Sequence, residues 1–184
     1  MKQLFFILIG LFIIGCGYKP TITYTAPVLG NKIKSDVEID VKNPEDSIYL
    51  KDALNEVVVN DYNANIVNKN YSSKIRLKVN SSTISAIGYD KNGYPILYRA
   101  NATITAYVKD KKGIISTYRG NGNYDFAITS NSILDDNTKH NAIKEAFIQA
   151  LQIIEFKIAA KEISNQNRDS NNLEGTKNDN NKSN

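Results

Sequence analysis

Cys16 is the residue with the most specific chemistry in this chain, because it is the sole cysteine among 184 residues. Lys2 places a positive charge at the start, and Leu4 to Ile14 is an almost unbroken apolar run. The run of about eleven residues matches the core of a signal peptide and is shorter than the roughly 20 residues of a membrane-spanning helix. The sequence therefore predicts a signal peptide over residues 1–15, which ends directly before a thiol.

The segment Ile13-Ile14-Gly15-Cys16 resembles the bacterial lipobox, in which a peptidase cuts before a cysteine that carries acyl chains. Ile14 is bulkier than the small residue usual at its position, and the alternative is an ordinary secretory signal followed by an incidental cysteine. Each acyl methylene buried in a bilayer contributes about 0.8 kcal/mol, so several chains form a stable anchor. We therefore predict lipid attachment at Cys16 and, since no second cysteine exists, no disulfide.

Basic side chains form the second group with recognisable chemistry. They occupy polar-facing positions of predicted strands and the turn between two of them: Arg76, Lys78, Arg99, Arg119, Lys109, Lys111 and Lys112. Such side chains suit the phosphate groups of an anionic glycolipid, and arginine is the better bidentate donor. The alternative is that they are ordinary solubilising charges. The formal net charge of +4, or +3 once Lys2 is removed with the signal peptide, does not decide between the two.

The sequence offers little material for catalysis. His140 is the only histidine and is expected to be solvated at the start of a helix. Asp36, Glu38 and Asp40 alternate along one strand and favour a solvated edge over a metal site. The chain contains no nucleophile elbow, no zinc-protease motif and no phosphate-binding glycine loop. We expect no enzymatic activity, no catalytic residue, no cofactor and no metal site, and we predict no binding to nucleic acid.

Composition divides the mature chain into three parts. Residues 16–32 are predicted to form a lipidated tether, since Gly17, Pro20 and Pro27 lie among polar residues without an apolar period. Residues 165–184 are rich in asparagine and are predicted to be disordered, because they hold too little apolar surface to offset the ordering entropy. Residues 33–164 remain for one two-layer α/β domain.

Hydrophobic periodicity predicts the elements of that domain. Alternation at Val37–Val41, Ile75–Val79, Ile96–Val108 and Ile114–Ile128 predicts strands, with a bulge near Asn80–Thr83. Gly120 and Gly122 predict a bend or bulge in the last of these strands. Helical spacing predicts one helix after Asn43-Pro44 and another after Asp135-Asp136. The expected fold class is α+β, in the order β-α-β-β-β-α. Both helices pack on one face of a four-stranded, mixed but mainly antiparallel sheet, and alanines in the third strand favour the approach of a helix.

Three segments resemble the LptE family of lipopolysaccharide-assembly lipoproteins. They are the opening Cys16-Gly17-Tyr18-Lys19-Pro20, the turn and strand from Tyr89 to Arg99, and Tyr124-Asp125-Phe126 before the last helix. The order of elements over about residues 16–160 also agrees with the family. The resemblance implies a two-helix, four-stranded domain.

The same resemblance implies a function. It implies a lipid-anchored protein of the outer membrane, on the periplasmic side, that sits inside an LptD-like β-barrel and plugs it. It also implies binding to lipopolysaccharide, during its delivery to the outer leaflet, through basic residues near a strand edge. The best placed candidates for that contact are Arg99, Lys109, Lys111 and Lys112.

Two alternatives belong to a different functional class. The chain could be a periplasm-facing lipoprotein that activates a cell-wall synthase by protein contact, or a lipoprotein of a secretion system. Partner identification discriminates among the three functions, because the first predicts a barrel and the second a peptidoglycan synthase.

Overall fold

The computed structural model describes residues 22–62, 64–129 and 132–180, with side chains described up to residue 168 except at 22–24 and 27. The predicted signal peptide and Cys16 lie outside these residues. The elements of the described ranges are helices α1 (Ile22–Leu29), α2 (Pro44–Asn60) and α3 (Asp136–Asn180), and strands β1 (Lys32–Val37), β2 (Asn65–Ile66), β3 (Ser73–Tyr89), β4 (Pro95–Lys109) and β5 (Ile115–Ala127).

One mixed sheet has the strand order β2-β1-β3-β4-β5. Strand β1 runs parallel to both β2 and β3, whereas β3, β4 and β5 form an antiparallel meander. The predicted α+β class is confirmed, but the sheet has five strands and not four. The additional strand β2 contains two residues, which is too short for an alternating pattern to reveal it.

Helices α2 and α3 pack beside each other on one face of the sheet, as predicted. Helix α3 covers β5 and β4, while α2 lies over β1, β2 and β3. The core is built from the apolar faces of both helices and one side of the strands, and includes Leu50, Leu54, Val57, Phe147, Leu151 and Ile158. In β4, Ala100, Ala102 and Ala106 are buried, because their small side chains leave room for the helix above them.

Gly120 and Gly122 of β5 have a different structural role from the predicted bend or bulge. The register between β4 and β5 is continuous past both residues. A Cβ atom at Gly120 would collide with the carbonyl oxygen of Ala150, and one at Gly122 with that of Ala146. The two glycines therefore allow the backbone of α3 to lie directly on β5.

The bulge and the two hairpin turns of the meander lie where the sequence predicts them. The register of β3 against β4 shifts between Val79 and Ser81, which confirms the predicted bulge. Both hairpin turns end in a glycine with positive φ, at 84° for Gly93 and 85° for Gly113. In the second turn, the carboxylate of Asp110 accepts hydrogen bonds from two backbone N–H groups. The strand ends are thereby fixed in register.

The two terminal segments contain more structure than the sequence predicted. Helix α1 lies within the predicted tether, and its residues Thr25 and Leu29 are buried. An eight-residue helix without a repeating apolar stripe leaves no clear periodic signal. Helix α3 continues to Asn180, through most of the segment predicted to be disordered. A helix already nucleated by packing extends one hydrogen bond at a time, so its extension needs no core of its own.

Candidate functional site

Basic side chains collect at one end of the open sheet face, the face opposite the two helices. The end of β4 contributes Lys109, and the turn that follows contributes Lys111 and Lys112. Lys109 lies directly opposite Lys74 of β3. Lys74 in turn lies opposite Lys34 of β1. We call this group the basic end, and it consists of Lys34, Lys74, Arg76, Lys109, Lys111 and Lys112.

Three lysines of the basic end occupy one row across three strands. The register places Lys34, Lys74 and Lys109 side by side on β1, β3 and β4. Like charges directly opposite each other on neighbouring strands destabilise a sheet. Proteins keep residues that destabilise the fold mainly at functional sites, so the repulsion among these lysines is expected if they bind a ligand. The row is therefore the feature of the open face that most needs a functional explanation.

Two adjoining clefts lie between these side chains. One has a volume of about 360 Å³ and extends from Tyr71 and Ser72 to the Lys109–Gly113 turn. The other has a volume of about 280 Å³ and is lined by Lys74, Arg76, Tyr107, Lys109 and Ile115. Lys74 and Lys109 line both clefts. Together the clefts form a basic surface that also contains two aromatic residues, Tyr71 and Tyr107, and the aliphatic residue Ile115.

The carboxylates near the basic end neutralise it only in part. Asp36 lies 3.7 Å from Lys74 and 3.9 Å from Arg76, so one carboxylate is shared between two cations at long distances. The carboxylate of Asp110 accepts hydrogen bonds from backbone N–H groups within the turn. Nζ of Lys34 lies 5.5 Å from the ring centre of Tyr71, which is cation–π geometry. The six basic side chains thus retain excess positive charge.

Arg99 lies at the other end of β4, ten residues before Lys109. At about 3.3 Å per residue, this separation is roughly 33 Å. Its guanidinium donates two hydrogen bonds to the carboxylate of Asp125, at 2.6 and 2.7 Å. This contact raises the pKa of Arg99 and lowers that of Asp125. The structure therefore brings Lys109, Lys111 and Lys112 together and places Arg99 apart from them, in an ion pair.

Two further residues considered in the sequence, His140 and Glu38, form contacts within the fold. His140 is half-buried, and its ring stacks on that of Tyr49 at 4.1 Å between ring centres. Glu38 pairs with Lys78 at 3.2 Å. Among the described residues, no group of acidic, histidine or cysteine side chains has the arrangement of a metal site. Within the same part of the chain, no helix is both long enough and apolar enough to span a membrane.

Sequence reasoning did not include Lys74 among the candidate site residues. The signal was nevertheless present, because counting backwards from the pairing of Asp90 with Tyr94, and skipping one residue of β3 for the predicted bulge, pairs residue 74 with residue 109. Of the three register shifts within the hairpin, the two at Gly88 cancel, so only the bulge between Val79 and Ser81 changes the count. Lys34 could not be found in this way, since the parallel pairing of β1 with β3 is not set by a turn.

No protein-family model and no curated protein sequence matches this chain. Among solved structures, it is similar to the rare lipoprotein B from Shewanella oneidensis, with 17% identity, a TM-score of 0.48, and coverage of 74% of this chain and 99% of that one. It is also similar to the minor lipoprotein from Acinetobacter baumannii, with 14% identity, a TM-score of 0.40, and coverage of 73% and 95%. At these values the likeness concerns the path of the chain and carries no information on ligand or partner.

Proposed function

We propose that the protein is an outer-membrane lipoprotein that binds lipopolysaccharide during delivery to the outer leaflet and does so as the plug of an LptD-like β-barrel. The signal peptide and lipobox support the lipid anchor. The resemblance of three segments to the LptE family supports the barrel partner and the outer-membrane location. The basic end supports binding to the glycolipid and is its proposed contact surface.

The main support for lipopolysaccharide binding is the row of three lysines across β1, β3 and β4. Lys34, Lys74 and Lys109 repel one another in the free protein, and phosphate oxygens placed above the row would convert that repulsion into attraction. The clefts beside the row hold several hundred cubic ångströms, which is sufficient for anionic sugar groups. Tyr107, which lines one of the clefts, adds an apolar surface with a polar tip, which suits a sugar ring.

Lipopolysaccharide binding is tested with a variant in which Lys74, Lys109, Lys111 and Lys112 are all replaced by glutamine. We expect its affinity for lipopolysaccharide to fall by roughly tenfold or more, because each lost charge removes a charge-assisted contact. The difference from wild type should decrease as salt rises, since exposed charges are screened over about 10 Å at 0.1 M salt. The measurement is binding of residues 17–184 to purified lipopolysaccharide at two salt concentrations.

The control variant removes the same number of charges outside the basic end, from Lys42, Lys51, Lys91 and Arg99. It should bind nearly as well as wild type, because these residues lie outside the clefts. Equal losses in both variants would mean that only net charge matters, and would contradict a specific site. If wild type does not bind lipopolysaccharide and a peptidoglycan synthase co-purifies in place of a barrel, the activator function becomes the better explanation.

A further inference from the structure

The middle of the open sheet face consists of uncharged polar side chains. They form two successive rows across β3, β4 and β5, and the register aligns each row residue by residue. Five of the six side chains are exposed, and that of Thr103 is partly buried. We call this group the neutral band, and it consists of Ser81, Thr83, Asn101, Thr103, Asn121 and Asn123.

Charged rows border the neutral band on both sides. In the row nearer the Asp90–Gly93 turn, the guanidinium of Arg99 donates two hydrogen bonds to the carboxylate of Asp125. In the row on the other side, Lys78 and Arg119 flank β4. The band is therefore a distinct patch of neutral hydrogen-bonding groups and not the continuation of a charged surface.

The asparagines of the neutral band are not explained by the fold. A polar face is ordinary for an antiparallel sheet exposed to water, but asparagine is disfavoured in strands. Within the part of the chain that the structure describes, the side-chain amides of Asn101, Asn121 and Asn123 have no hydrogen-bond partner. By contrast, Asn80 on the same face accepts a hydrogen bond from Oγ1 of Thr105 at 2.7 Å. Residues that disfavour the local structure without a compensating contact are expected at functional sites.

The chemistry of the neutral band suits a saccharide. The amides of asparagine and the hydroxyls of serine and threonine both donate and accept hydrogen bonds, as sugar hydroxyls do. The band contains no charge that could pair with a phosphate group. It also contains no aromatic or large apolar side chain of the kind that anchors a protein partner, and none that would contact an acyl chain.

The neutral band and the basic end lie on the same face, at different points along β4. Lys109 and Thr103 are six residues apart on this strand, which corresponds to roughly 20 Å. Tyr107 lies between them and is 40% exposed, so its ring is available to a sugar. A ligand with phosphate groups at one end and several linked sugars beyond them would contact both surfaces at once.

We propose that the neutral band binds the uncharged sugars of a lipopolysaccharide molecule whose phosphate groups lie on the basic end, an inference that rests on the proposed function. The phosphorylated lipid part of the molecule contacts the lysines. The further sugars extend along β4 past Tyr107 and receive hydrogen bonds from the asparagine amides of the band. The open face thus distinguishes complete lipopolysaccharide from its lipid part alone.

The first test uses an oligosaccharide released from lipopolysaccharide, without its acyl chains and phosphate groups, titrated into residues 17–184. We expect saturable shifts in the NMR signals of the neutral band. The double variant Asn101→Val/Asn123→Val should weaken this binding by roughly fivefold or more, because it removes two hydrogen-bonding amides. Valine is favoured in strands, so the variant should keep the fold.

Asn55→Val/Asn60→Val is the matched control, since both residues are exposed on α2, at the opposite face of the sheet. Valine and asparagine have similar helix propensities, so this control should fold and bind the oligosaccharide as wild type does. Absence of binding to wild type, or equal losses in the two double variants, would overturn the proposal.

A comparison of two glycolipids separates this inference from the proposed function. Wild type should bind complete lipopolysaccharide more tightly than the phosphorylated lipid part alone, and Asn101→Val/Asn123→Val should remove that difference. If wild type binds both glycolipids equally, the inference fails and the proposed function stands. If neither glycolipid binds but the oligosaccharide does, the proposed function fails and the saccharide site stands. Loss of a co-purifying barrel in Asn101→Val/Asn123→Val, with oligosaccharide binding retained, would assign the band to the barrel and overturn the inference.

Discussion

Glu155 of α3 is a buried carboxyl group, with only 6% of its surface exposed. Burial raises its pKa to about 7, and the negative charge of Asp61 adds to the shift. The phenol of Tyr62 is buried nearby, and burial together with the charge of Glu155 also raises its pKa. At neutral pH, the folded state therefore holds Glu155 partly protonated, whereas the unfolded chain has released that proton.

The proton held by Glu155 makes the stability of the folded domain depend on pH. Between the ordinary glutamate pKa of 4.5 and about 7, the folded state binds more protons than the unfolded state, so stability falls as pH rises. Glu155→Gln should remove this dependence and raise the free energy of unfolding at about pH 8 by on the order of 2 kcal/mol, with little change at about pH 4. Urea unfolding at several pH values measures the effect.

Glu162→Gln, on the same helix but only partly buried, is the control for Glu155→Gln and should leave the pH dependence of wild type unchanged. A stability of Glu155→Gln that falls with pH as steeply as that of wild type would contradict the assignment.

The sequence identified the basic residues by type but could not show which of them are neutralised by a neighbouring carboxylate. Arg99 and Lys109 both lie at polar-facing positions of β4, and nothing in the alternation of that strand separates them. The difference arises from the neighbouring strands, where Arg99 meets Asp125 and Lys109 meets Lys74. Cross-strand partners, and not residue type, determine where free positive charge remains.

The packing of α3 on β5 is the most demanding contact between two elements. At Gly122, the carbonyl oxygen of Ala146 occupies the space that a Cβ atom would need. Gly122→Ala should therefore force the helix away from the strand and destabilise the domain by about 1–3 kcal/mol. Asn121→Ala, the adjacent residue on the open face, should change stability by less than about 0.5 kcal/mol. Thermal unfolding of the two variants tests the contact, and equal stabilities would show that α3 does not lie on β5 as described.

Elements with long, regular patterns were predictable, and short ones were not. Ile104 and its neighbours on β4 alternate over the whole strand, so both its existence and its buried face were correct. Strand β2 and helix α1 are formed by tertiary contacts: β2 by pairing with Lys32 and Ile33, and α1 by packing against α3. The role of Gly122 was missed for the same reason, since a glycine has identical sequence signals at a bulge and under a helix.

At the scale of the whole molecule, the basic end lies near helix α1, from which the chain leads back to the proposed acylation site at Cys16. The backbone carbonyl of Val28, in the last turn of α1, accepts a hydrogen bond from the N–H of Lys111. Helix α1 spans roughly 9 Å from Val28 back to its start at Ile22. The chain from Ile22 to Cys16 reaches at most roughly 20 Å further. An acylated Cys16 would therefore hold the basic end within roughly 30 Å of the membrane, where anionic lipid groups are concentrated.

This arrangement depends on acylation of Cys16. Cys16→Ser should prevent lipid attachment, so radiolabelled palmitate should enter wild type and not the variant. The variant should accumulate as an uncleaved or soluble protein, while wild type sediments with the outer membrane. Gly17→Asp retains the cysteine and is the matched control, because it should still incorporate palmitate but shift towards the inner membrane, where aspartate after the cysteine often retains lipoproteins. Palmitate in Cys16→Ser would refute the lipobox, and wild type found chiefly in the inner membrane would contradict the assembly role.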